Sequence, residues 1–292
     1  MTIFSSLSII MFELTTFLFI PNKIFLMLES LVSFEEIDRR PILMAVWSFV
    51  VCNIAVLISS QIPLAVPGTN PGFLSVLFTI IPSVYFLTSL IKREEEIEER
   101  LIDHHYRARF WERHEKDILT LLFYFAGLTA CFALWSFLLP QSEIFFQAQI
   151  TEINRIQGIA GITGSLTKQE TFMRIFYNNL QVMLFSFIFA FIFGAGAVFI
   201  ITWNASVLGV YIGQLSSQIW HVPIVSLSFL PHGIPEIAGY VAAGLAGGLL
   251  SAAIIRKNSR RVLKTITIDS MLVMILAIAL ILLGAAVETW IG

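Results

Sequence analysis

The chain has 292 residues, of which 57% are hydrophobic and only 13% charged, and its mean hydropathy is +0.83. Soluble domains average about 45–50% apolar and about 25% charged residues, so this chain has too few charges to cover a water-soluble fold of its size. It is an integral membrane protein, and its net charge of -2 leaves no electrostatic footprint for nucleic acid as a partner.

The first 34 residues contain one short apolar run, 7–20, which carries Glu13 and lacks a basic flank. That pattern predicts an interfacial helix rather than a signal peptide or an eighth crossing. Apolar stretches near 43–61, 73–91, 118–139, 180–203, 233–255 and 268–290 each suit a spanning helix of roughly 20 residues. The shorter, more polar run 206–220 is a seventh candidate, short and interrupted, with Gly209, Gly213 and Pro223 along the way to the next span. Trp203, Trp220 and Trp290 fall at the ends of these runs, where an amphipathic ring prefers the headgroup level.

Fifteen of the eighteen basic residues lie before the first span, in 92–116 between the second and third, and in 256–264 before the last. The other three, Arg155, Lys168 and Arg174, share the loop after the third span. The positive-inside rule places the first three groups in the cytoplasm and that loop outside, which requires the run 206–220 to cross. The expectation is an all-α polytopic helix bundle of about seven spans, N-terminus cytoplasmic, with an interrupted helix before a His-Gly-Ile-Pro-Glu motif.

The chain divides near Asp117. Residues 1–117 comprise the interfacial helix, two spans and a charged segment, 92–117, with seven basic and nine acidic residues. Pairs such as Glu96 with Arg100 and Glu112 with Lys116 predict a solvated cytoplasmic helix there, and make His104, His105 and His114 surface residues rather than ligands. Cys52 and Cys131 lie inside apolar runs and read as small packing residues, not as a disulfide framework.

Residues 118–292 form the second unit, and its features come in a definite order: Asn178-Asn179-Leu180, a span containing Gly194-Ala195-Gly196, Trp203-Asn204, Leu208-Gly209, Pro231-His232-Gly233 with Glu236, then a helix carrying Gly244 and Gly247-Gly248. This series, from about Phe172 to the end, resembles the stage II sporulation protein M family of integral membrane proteins. It departs from the family at Asn204-Ala205, where Asn-Gly is common. In endospore-forming bacteria the namesake is a membrane component of the engulfment machinery. It works beside peptidoglycan-degrading partners, although the family extends to organisms that make no spores. The resemblance implies a multi-pass protein of the cell membrane with membrane or cell-envelope protein partners.

His232 and Glu236 stand four residues apart, on one face of a helix, and ionisable groups at a membrane helix are functional candidates by default. Pro235 and Glu236 suit the first turn of a helix, where a missing N–H is harmless and a negative charge is favoured. The expected arrangement is a polar clamp made by His232 and Glu236, bonded to each other or to a shared partner, with Asn178, Asn179 and Asn204 in the same polar core. A transporter or channel-like path near His232 and Glu236 is the alternative. A metal-dependent intramembrane hydrolase using His221, His232 and Glu236, or a nucleophile at Ser226 or Ser228, comes third. No cofactor or bound metal is expected. Gly194, Gly196, Gly239, Gly244, Gly247 and Gly248 are expected to bring helices close, within the chain or across a homodimer seam.

Overall fold

The computed structural model describes residues 34–84, 110–161, 167–194, 196–255 and 260–291. The helices are α1 (Phe34–Arg39), α2 (Leu43–Ala65), α3 (Pro71–Val84), α4 (Phe110–Leu138), α5 (Ser142–Phe145), α6 (Gln147–Gly161), α7 (Lys168–Phe193), α8 (Ala197–Leu215), α9 (His221–Ile255) and α10 (Arg260–Trp290). Among the described residues there is no strand. Six helices (α2, α4, α7, α8, α9 and α10) are long and apolar enough to cross a membrane, and α3 is a shorter apolar helix. The run 7–20 and most of 92–117 lie outside the described residues, as does the end of 73–91.

The contacts between helices fix their directions. Ser48 donates to the Tyr124 carbonyl at 3.1 Å, and Trp135 donates to Asn53 at 2.9 Å, so α2 and α4 run parallel. Tyr124 meets Thr202 at 2.8 Å and Ser136 donates to the Val210 carbonyl at 3.1 Å, which makes α8 parallel to both. In the other half, Asn179 pairs with Glu236 and a Cβ on Gly247 would meet Phe187 and Ala190, so α7 and α9 are parallel. Gly284 lies against Glu236 while Ser270 donates to the Ala246 carbonyl at 3.2 Å, so α9 and α10 are antiparallel. Because α2 and α4 run parallel, the chain must return across the membrane between them, and α3 is the described part of that return. Arg39 and Arg40 then lie on the same side as Arg260, Arg261 and Lys264, the side that the positive-inside rule makes cytoplasmic.

Two boundaries differ from the sequence expectation. The apolar run 180–203 is not one span: α7 ends at Phe193 and α8 starts at Ala197. Gly194 adopts φ 67°, which ends the helix, and Gly196 sits so close to the Phe189 carbonyl that a Cβ would collide with it. Residues 206–215 are therefore the second half of a full-length α8, and Trp203 is half-buried against Phe73 rather than at a span end. The interruption before the motif falls at 216–220. The second correction is that α9 already begins at His221, so Pro235 and Glu236 lie mid-helix. Pro223 takes the first-turn place that Pro235 was expected to fill, and Pro231 and Pro235 lie inside the helix.

Candidate polar site between α7, α9 and α10

The start of α7 is set by a capping box. Thr167 accepts from the Glu170 amide at 3.3 Å, and the Glu170 carboxylate accepts from the Thr167 amide at 2.8 Å. From there the helix buries one narrow stripe, Asn179, Met183, Ser186 and Ala190. That spacing follows the 3.6-residue turn and lays Asn179 against α9.

Asn179 is the centre of the site. Its Nδ2 donates to Glu236 Oε1 at 2.5 Å, and its Oδ1 accepts from the Tyr240 hydroxyl at 2.8 Å. Glu236 and Tyr240 are one turn apart on α9, so a single amide grips both. Two turns further along α7, Ser186 donates to the Tyr240 carbonyl at 2.9 Å. Toward the surface, Asn178 Nδ2 reaches Asn179 Oδ1 at 3.4 Å, and Arg155 of α6 donates to Asn178 Oδ1 at 3.3 Å. Arg155 also grips Glu152 through two bonds of 2.8 and 2.6 Å, and that carboxylate holds the guanidinium charged beyond its ordinary range.

The third wall is α10. A Cβ on Gly284 would fall 2.5 Å from Glu236 Cγ and 3.1 Å from the His232 carbonyl, so only glycine lets α10 approach here. Glu288, one turn on from Gly284, lies within electrostatic reach of both Glu236 and His232.

His232 and Glu236 share this region, but among the described residues Glu236 is bonded to Asn179 and not to the imidazole. The His232 ring instead packs edge-on against Phe229, with centroids 5.8 Å apart. Asn204 stands apart: its amide donates back to the Ile200 carbonyl within α8 at 2.7 Å. His221 is eleven residues from His232 on one helix, about 16 Å along the axis, and bonds Ser217 at 2.7 Å. Among the described residues no three His, Cys, Asp or Glu side chains gather as a metal cluster. Ser226 and Ser228 donate to carbonyls of their own helix.

The small residues are used inside the chain. A Cβ on Gly239 would press on Ala277 and Ile281, on Gly244 on Ala197 and Ser186, and on Gly247 on Phe187 and Ala190. Gly248 is buried with them, while the space around Gly194 is open. Sequence reasoning passed over Tyr240, Ser186, Gly284 and Glu288. The available signals were an acid near the end of an apolar span and a tyrosine one turn from Glu236.

A protein-family model described as stage II sporulation protein M matches residues 119–292, which include every residue of this site. No curated protein and no solved structure matches the chain.

Proposed function

We propose that this chain, which belongs to the stage II sporulation protein M family, is a non-enzymatic component of a membrane assembly that works with other membrane or cell-envelope proteins of the cell membrane. What supports this reading is how the site's polar groups are used. Both ends of the Asn179 amide are taken, by Glu236 on one side and Tyr240 on the other, so the motif carboxylate joins α7 to α9. Interhelical polar bonds of this kind hold helices in register at roughly 0.6–1.7 kcal/mol each.

A second reading, a transporter or channel-like protein, is favoured by one observation. Polar side chains lead without a gap from exposed Arg155 through Asn178 and Asn179 to Glu236, with His232 and Glu288 beside it. The test is His232→Ala, a residue next to this chain. In native membranes the substitution is expected to lower folded protein or the recovery of co-purifying proteins identified by mass spectrometry. A stable His232→Ala protein that keeps its partners but loses a flux measured in reconstituted vesicles would sink the assembly reading.

A further inference from the structure

The face of α7 turned away from the site is exposed along the helix and carries polar side chains among its apolar ones. Arg174, Tyr177, Gln181, Leu184, Ile188 and Phe191 are all exposed. They follow one another at steps of three and four residues, the spacing of a helix seam that packs against a second helix at a shallow angle. The α7 span is 22% buried, against 33% for α10 and 72% for α9, and the six residues are exposed, so this seam has no partner among the described residues.

One residue in the seam is polar and deep. Gln181 lies nine residues, about 14 Å, from Phe172 and twelve residues, about 18 Å, from Phe193. The Phe172 ring packs against Trp290, an aromatic anchor at a span end, with centroids 5.3 Å apart. Gln181 therefore sits near the middle of a hydrocarbon core of about 30 Å. Among the described residues no hydrogen bond reaches its side chain, although an amide facing acyl chains is costly. The small-residue faces of α9, the other candidates for a dimer seam, are filled by α7, α8 and α10.

We infer that α7 is a homodimer seam in which Gln181 pairs with Gln181 of a second copy. A side-chain amide carries both a donor and an acceptor, so two related by a two-fold axis close a reciprocal pair of N–H···O bonds. A second copy also brings the same seam at the same level, with Tyr177, Leu184, Ile188 and Phe191 interdigitating on either side. A single buried polar residue in such a seam sets register and partner number.

The full-length protein tests this in lipid nanodiscs and in native membranes. Single cysteines at Tyr177, Gln181, Leu184 or Ile188, in a Cys52→Ala, Cys131→Ala background that still elutes as folded protein, are expected to form covalent dimers on oxidation. Cysteines at the exposed α10 positions Met271 and Ile275 serve as the comparison and are expected to stay monomeric. In the otherwise unaltered chain, Gln181→Leu should weaken dimerisation by roughly threefold to twentyfold, the range spanned by interhelical hydrogen bonds in membranes, while Gln181→Asn keeps it. A monomer in nanodiscs, equal cross-linking on α7 and α10, no effect of Gln181→Leu, or a cross-link to a different protein without self-linkage would each overturn the seam. A monomer that still recovers its partner proteins would do so while leaving the assembly reading intact.

Discussion

In the half of the bundle built from α2, α3, α4 and α8, the buried polar side chains are mainly hydroxyls. Ser48, Tyr124 and Ser136 bridge helices, while Ser75, Thr79 and Ser83 bond back to carbonyls of their own helix. Large side chains such as Phe132, Phe146 and Leu128 fill the space between. In the half built from α7, α9 and α10 the core mixes Met183, Val273 and Ile281 with Ala242, Ala243, Ala246 and Ala277, and a carboxylate takes part in the bonding; backbones approach over glycine in both halves, at Gly127, Gly209 and Gly213 as at Gly244 and Gly247. The two strategies differ in what happens when helices slide. A serine or threonine hydroxyl that loses its neighbour can fall back on a carbonyl three or four residues earlier. The Glu236 carboxylate accepts only, and it takes its donor from another helix, Asn179 of α7. Hydroxyls that can fall back make the polar bonding of the first half tolerant; the clamp makes that of the second half exacting.

The largest break in that comparison should come from bulk on the close-packed face. Gly244→Leu would drive a side chain into Ala197 and Ser186, where even a Cβ falls 2.5 and 2.9 Å away. The expected loss is about 3 kcal/mol or more, read as a collapse in the folded fraction on size exclusion. Gly233→Ala, on the same helix but with its nearest neighbour 4.0 Å from the new Cβ, should be within about 0.5 kcal/mol of the parent. Equal losses would mean that the closeness of α9 to its neighbours is not what holds this half.

Next in size is the clamp. Glu236→Leu strips the acceptor from Asn179 Nδ2 and should cost about 1–3 kcal/mol in thermal unfolding, the penalty for an unsatisfied buried donor. Glu236→Gln keeps an oxygen in place and should lose clearly less. If the two variants melt together, the Asn179–Glu236 bond is not holding α7 against α9.

Much of this was readable in the residues, for definite reasons. Apolar runs of spanning length follow from bilayer thickness, and Lys and Arg group in alternate connections because the positive-inside rule keeps them on one side; both patterns can be read directly along the sequence. The break at Gly194 was hidden because apolar residues continue on both sides of it, so hydropathy does not register a turn that backbone geometry makes. The motif's place in the middle of α9 was hidden because proline in a soluble helix marks a first turn, whereas membrane helices carry it internally. The partner of Glu236 was ambiguous by symmetry: His232 lies one turn before it and Tyr240 one turn after, and spacing alone does not choose. The choice is made by Asn179, which comes 57 residues earlier in the chain. Asn204 had the right chemistry and falls on a helix face that never meets the site.

The smallest effect gives the sharpest comparison, because one chemical change can be made in both halves. Tyr124→Phe removes a hydroxyl bonded to Thr202, whose own hydroxyl can turn to a carbonyl of α8. The expected cost is about 0.5–1 kcal/mol, the ordinary net worth of one hydrogen bond. Tyr240→Phe removes the hydroxyl bonded to Asn179 Oδ1, leaving that oxygen only the 3.4 Å contact from Asn178. An amide already tied to Glu236 has no freedom to seek another donor, so the loss should be about twice as large. Thermal unfolding of both variants in the same lipid checks the ratio. Equal losses would show that the clamp relaxes as readily as the hydroxyl seam, and the distinction between an exacting and a tolerant half would fail.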